Sequence, residues 1–333
     1  MEVSVLCLAY NHEKYIRKCL ESILSQKTEF DFEIIINDDA SSDKTAEIIK
    51  EYEDRYPNKF KSIYQKENKY SKGEAIIEKY MLPKASGKYI AFCECDDWWL
   101  DNEKLQRQYD YMESNQQCSL CGHNTLIHCI NESKEDSRFN TWNSIHEMNP
   151  KEIYMEWDIH TSSFFMRKED GYRFEYSKKY WFGDYVRLTQ LSLKGDVVVL
   201  PQIMSQYNYG VKTGALYAAD NDQMINRKNN IMQREEYLQQ LLKYDGAEKY
   251  KKIINERILL TYLEAETILE NDIINNNVDD YKKIRKAAKS ITKKKEYKRY
   301  LSSLNFKDKV KNIVKYKMYE FCPSYIIKHR SQL

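Results

Sequence analysis

The chain has 333 residues, 53 Lys and Arg against 51 Asp and Glu, and 42% hydrophobic residues, enough to bury a full core and carry an appendage. Only 9 Gly and 5 Pro leave little room for linkers or low-complexity segments, and no run approaches the roughly 18 apolar residues of a spanning helix. The net charge of +2 conceals an asymmetry: residues 281–333 hold 17 Lys and Arg against 3 Asp and Glu, and the remainder 36 against 48. A basic tail on an acidic body points to a polyanionic partner surface, membrane or nucleic acid. The start, MEVSVLCLAYN, does not read as a secretory signal. The eight cysteines sit mostly in apolar settings and read as reduced thiols of a cytoplasmic protein.

In chain order, Val3 to Leu8 is an apolar strand followed by a turn at Ala9-Tyr10-Asn11-His12. Tyr15, Ile16, Cys19, Leu20, Ile23 and Leu24 then fall at helical spacing. Phe32 to Ile36 is a second buried strand ending in Asn37-Asp38-Asp39-Ala40-Ser41-Ser42-Asp43, where Ser42 or Asp43 can cap the next helix. A third strand, Ser62 to Gln65, leads into a polar segment containing Lys72 and a helix near Glu74–Tyr80. The fourth strand, Tyr89 to Cys93, ends in Glu94-Cys95-Asp96-Asp97, then Trp98-Trp99 and a polar helix start at Asp101-Asn102-Glu103. Such alternation is a parallel α/β sheet, and its polar clusters lie at the carboxyl edge, where open α/β sheets bind ligands.

Three carboxylates in four positions at the end of a buried strand repel one another and lose hydration unless a cation sits among them. A divalent ion carrying a phosphorylated ligand meets that need; an acidic surface turn is the alternative on this pattern alone. Neither G-x-G-x-x-G after the first strand nor G-x-x-x-x-G-K-[ST] occurs, which argues against the usual dinucleotide sites and P-loop hydrolysis. Cys118, Cys121, His123, His128 and Cys129 mimic zinc-ligand spacing, but the stretch fits a strand better.

The blocks VSVLCLAYNHEKYIRKCLESIL, FEIIINDDASSDKT and GKYIAFCECDDWW, in this order, resemble the family 2 glycosyltransferases with the GT-A fold. The fuller wording is similar to bacterial enzymes of capsule, lipopolysaccharide and other surface glycans, and the likeness extends through His160-Thr161-Ser162-Ser163 and Phe182-Gly183-Asp184 to about residue 212. The resemblance implies a Rossmann-like mixed sheet flanked by helices over 1–220 (nucleotide-sugar half 1–115, acceptor half 116–220), then a helical region 221–333. It implies inverting transfer from a UDP-sugar to a glycan or lipid-linked acceptor, assisted by Mn²⁺ or Mg²⁺. Ala9 and Tyr10 would pack on the base and ribose, and Asp39 would bond the uracil. Asp96 would ligate the metal, with Glu94 as a ribose or metal contact. Cys95 and Asp97 would line the same substrate loop, Lys72 would reach phosphate, and His160 the acceptor or the diphosphate. Asp184 matches the general base, although a carboxylate just before a helix is also a common N-cap. Where related enzymes often carry a His after the last sheet strand, this chain has Tyr207-Asn208-Tyr209-Gly210.

Helices are expected at Met224–Tyr244, Ala247–Glu270 and Val278–Lys289. Phe306, Val310, Ile313, Val314, Met318 and Phe321, with lysines between them, form a basic amphipathic segment suited to an anionic bilayer or to packing on its neighbours. The expected place is therefore the cytoplasm, peripheral on the inner face of the membrane, without nucleic-acid binding for want of any recognisable module. A catalytically silent, membrane-docked scaffold is the competing reading.

Overall fold

The computed structural model describes residues 1–130, 135–156, 158–172, 183–211, 233–258, 260, 261, 298 and 302. Two compact units divide the chain, 1–221 and 222–333. In the first, β1 (Val3–Ala9), β2 (Phe32–Asp38), β3 (Phe60–Tyr64) and β4 (Tyr89–Phe92) are parallel neighbours in the order β3-β2-β1-β4. α1 (Ile16–Leu24) and α2 (Thr45–Arg55) are the crossovers. All seven residues of β2 are buried, as an apolar run covered on both faces should be. On α1, Ile16, Cys19, Leu20 and Ile23 are the buried face that the helical spacing requires.

Beyond β4 the sheet becomes mixed. β5 (Trp98–Trp99), α3 (Lys104–Ser114), β6 (Cys118–Cys129), β7 (Ser137–Arg138), β8 (His146–Glu147) and β9 (Phe165–Arg167) follow, then α4 (Lys168–Tyr172), α5 (Gly183–Leu191) and β10 (Asp196–Tyr209). β9 is antiparallel to both β4 and β6, β6 is parallel to β10, and β5 closes antiparallel on β10. β7 lies against β6 and β8 against β10. The third strand begins two residues earlier than expected, and a π-helical turn, Ile77–Met81, stands where an ordinary helix is expected. Asp43 does not cap α2 from the N-cap position; it accepts from the Thr45 and Glu13 amides instead. Gly87 is fixed by packing, since a Cβ there would stand 2.5 Å from the Ser4 nitrogen.

Cys118 and Cys121 are buried core residues of β6, with His123 Nδ1 2.8 Å from the Asn124 carbonyl oxygen. In the second unit, the described helical stretches are 233–241 and 247–258, with a left-handed Gly246 between them. The rest of the expected helices, the basic segment 306–321 and Phe182 lie outside the described residues.

One core group carries a testable cost. Lys104 is fully buried, donating to Gln108 Oε1 at 2.7 Å with its ammonium 4.1 Å from the Trp99 ring centre. Burial pushes its amine down to about 7. The unfolded chain therefore binds more protons between pH 7 and the ordinary lysine range, and this residue's contribution rises with pH there. Chemical denaturation of wild type and Lys104→Met from pH 7 to 9 should show the wild type gaining relative to the variant, by at most about 1.4 kcal/mol per pH unit. A difference independent of pH would show the amine is not displaced.

Candidate active site

Strand order reverses between β2-β1 and β4, so the loops after β1, β2 and β4 open onto one crevice at the carboxyl edge. After β1, Ala9 is buried and Tyr10 is 37% exposed. Asn11 takes a left-handed φ of 55°, with its side-chain oxygen accepting from the Ser42 amide at 2.7 Å. After β2, Ala40 holds φ 60°, a strained setting for a residue with a Cβ, in the turn next to Asp39. Asp39 is buried; its two carboxylate oxygens accept from the Lys69 and Tyr70 amides at 2.7 and 2.9 Å. That carboxylate therefore shapes the loop after β3 from within the crevice. Lys72 is not brought to the acidic loop: its ammonium pairs with Glu67 on its own loop.

The segment after β4 has two faces. Cys93 and Cys95 are fully buried in the core, with Cys93 Sγ 3.6 Å from Cys19 Sγ and the Cys95 thiol against those of Cys7 and Cys19. Cys95 thus faces away from the crevice, a correction to its expected donor contact: the inward parity of the strand continues through it. Glu94, Asp96 and Asp97 each present a carboxylate oxygen, all within 4.8 Å of one another. Burial, then the charges of Asp96 and Asp184, push the Glu94 carboxyl up to about 8, while Arg187 pulls it down. Burial and Asp96 likewise raise Asp97 well above its ordinary range. One Asp97 oxygen accepts from the Asn208 amide at 2.9 Å, and the other is buried without a hydrogen-bond partner.

The other wall comes from the acceptor half. Asp184, at the start of α5, accepts from the Tyr185 amide at 2.9 Å and from the Thr161 hydroxyl at 3.2 Å, and burial raises its carboxyl. Its charge acts on Glu94, so the two expected sites share one field. His160 lies next to Thr161, with Nε2 3.9 Å from Asp97 Oδ2. The local sequence did not single out Asn208, whose carboxamide donates to the Asp96 carbonyl at 2.7 Å, or His12, with Nε2 3.8 Å from Asp96. It also missed Arg187, buried one turn beyond Asp184, ion-paired with Glu78 at 2.6 Å and 5.1 Å from the Phe92 ring centre.

The oxygen donors of Glu94, Asp96 and Asp97, within 4.8 Å of one another and with the Glu94 and Asp97 carboxyls raised, fit the donor set of a hard divalent cation. The profile described as Glycosyl transferase family 2 matches residues 4–181. The chain belongs to glycosyltransferase family 2. Its mixed sheet with flanking helices is the GT-A fold. An uncharacterised protein of Mycobacterium tuberculosis is 31% identical over 205 residues, 62% of this chain and 58% of that relative's length. The Escherichia coli UDP-Glc:alpha-D-GlcNAc-diphosphoundecaprenol beta-1,3-glucosyltransferase WfaP is 39% identical over 112 residues, 34% of this chain and 41% of its own. Among solved structures, Staphylococcus aureus TarS 1-349 in complex with UDP-GlcNAc superposes with a TM-score of 0.62 at 16% identity, covering 87% of this chain and 82% of that one.

For this family 2 chain the raised Glu94 carboxyl fixes a sign. Below about 8 it holds a proton that a cation must displace, so Mn²⁺ binding should tighten as pH rises from 6.5 to 8.5 and release protons. Manganese titrations in two buffers of different protonation enthalpy should show the release, and Glu94→Gln should reduce it. Identical pH dependence in both proteins would rule Glu94 out of the ion's site.

Proposed function

We propose that the protein transfers a sugar from a UDP-sugar, with inversion, to a glycan or lipid-linked acceptor in bacterial surface-glycan assembly. The carrying observation is that Glu94, in the acidic cluster after β4, lies close enough to Asp184 on α5 to feel its charge. The named activity of the Escherichia coli relative and the nucleotide sugar bound to the Staphylococcus aureus neighbour support the donor class. Among the described residues no helix is long and apolar enough to cross a membrane. The positive charge of residues 281–333 supports peripheral contact with an anionic leaflet, where a lipid-linked acceptor would lie.

In this reading Asp96 and Glu94 would hold Mn²⁺ or Mg²⁺ against the donor diphosphate. When bound, the ion offsets the charge that develops on the departing nucleotide. Tyr10 and Ala9 carry the base and ribose, and Asp39 fixes the loop that closes over them. Asp184 takes the proton from the acceptor hydroxyl as that oxygen bonds the anomeric carbon. The bond to the diphosphate breaks, and its electron pair leaves with UDP. Burial that lifts the Asp184 carboxyl makes it a stronger base while the Thr161 hydroxyl keeps one oxygen oriented.

Two variants separate the halves. Asp96→Ala should abolish Mn²⁺-dependent UDP binding by calorimetry, whereas Asp184→Asn should leave binding within about threefold and cut turnover at least about a hundredfold. Full activity in both variants would overturn the assignments. UDP binding by the wild type without turnover of any UDP-sugar would favour the silent scaffold.

A further inference from the structure

His160 is held more firmly than a residue that only closes a turn. It caps the short helical turn Thr161–Ser163, and the Ser162 amide donates to its Nδ1 at 3.2 Å. A backbone amide is always a donor, so Nδ1 is the acceptor and a neutral imidazole carries its proton on Nε2. Tyr207 stacks on the ring at 4.3 Å between centroids and Phe139 approaches from 5.5 Å, so its plane is fixed as well. Ser162 Oγ, 2.8 Å from Nδ1, continues through Ser205 Oγ to Thr125 Oγ1 at 2.8 and 3.0 Å, all of it buried.

This leaves Nε2–H, a donor of known direction, facing the Asp97 oxygen that is buried without a partner. Their separation of 3.9 Å is too long for a hydrogen bond between them. It does match one hydroxyl bonded to both, because two hydrogen bonds of about 2.8 Å meeting near a right angle span about 3.9 Å. A hydroxyl accepts from the ring and donates to the carboxylate, satisfying both groups at once. A methylene in its place satisfies neither.

We propose that His160 Nε2–H and Asp97 Oδ2 form a two-point clasp for a single hydroxyl of the transferred sugar, and so set which donor sugar the enzyme accepts. The inference rests on the glycosyltransferase reading above. The transferred sugar is favoured because Asp97 directly follows Asp96, which that reading places against the diphosphate to which this sugar is attached. The aromatic rings of Tyr207 and Phe139 are orienting groups for His160, not contacts required of the sugar.

The test uses the full chain with Mn²⁺ and UDP-glucose, UDP-galactose, UDP-N-acetylglucosamine and GDP-mannose, followed by monodeoxy analogues of the tightest ligand at each free ring position. Calorimetry on wild type should find one position whose deoxygenation weakens binding roughly tenfold to a hundredfold. His160→Phe keeps a ring against Tyr207 but removes the N–H, and should shrink that penalty below threefold. Asp97→Asn, nearly isosteric, should do the same and serves if the first variant melts early. Equal weakening of parent and deoxy ligands by both variants, or no position that matters in wild type, would overturn the clasp. Binding of none of the four nucleotide sugars by wild type would instead overturn the donor reading, and the clasp with it.

Discussion

Everything in the first unit answers to the cost of placing three carboxylates where a buried strand ends. Water would normally screen Glu94, Asp96 and Asp97; the walls around them remove most of it, and the Glu94 and Asp97 carboxyls rise in consequence. A fold tolerates this only if the loop is held rigidly and a cation can relieve it. The hold on the loop is visible. The loop is bonded from below by β1, through the Leu6 and Leu8 carbonyls, and from the side by Asn208. Its open oxygens converge on one point.

The same constraint explains why the acceptor half is built as it is. Asp184 adds a fourth acid to the crevice, and Arg187, on the same helix, supplies compensating positive charge. Arg187 is itself tied to Glu78, on the π-helical turn after the loop that Asp39 organises. Charge balance thus links the segment after β3 to the helix bearing Asp184. A π-helical turn, costly in its own right, commonly marks a functional position.

Much of this was legible in the residues. Apolar runs gave β1, β2 and β4 because strands covered on both faces must be apolar throughout, and the turn chemistry at each strand end marked the crevice. Cys118 to Cys129 alternate as a strand and form one. What the sequence hid is contact between distant positions. Asn208 reaches Asp96 and Asp97 across more than a hundred residues, and Arg187 reaches Glu78 across a similar gap, so no local pattern announces either. Lys72, a long exposed side chain, pairs with the nearest carboxylate, Glu67. Cys95 was within reach of sequence reasoning: it shares the parity of Cys93, and parity alone sends it to the core.

β10 carries a further consequence. Its pairing with β6 is irregular from Leu200 to Ser205, shifting once around Pro201 and again between Ile203 and Ser205, and then runs in regular register from Ser205 to Tyr209. Along that final run successive side chains alternate faces, so Asn208 braces the acidic loop while Tyr207 stacks on His160. The irregularity therefore acts as a phase setting. Losing or gaining one residue after it would exchange the two duties, presenting a phenol to the acidic loop and a carboxamide to the imidazole. A change of two would preserve the phase but shift both by a strand repeat of about 6.8 Å. Natural variation in length should accordingly be absorbed before Pro201, and the five residues that follow the irregularity should be the least tolerant of insertion in the whole strand.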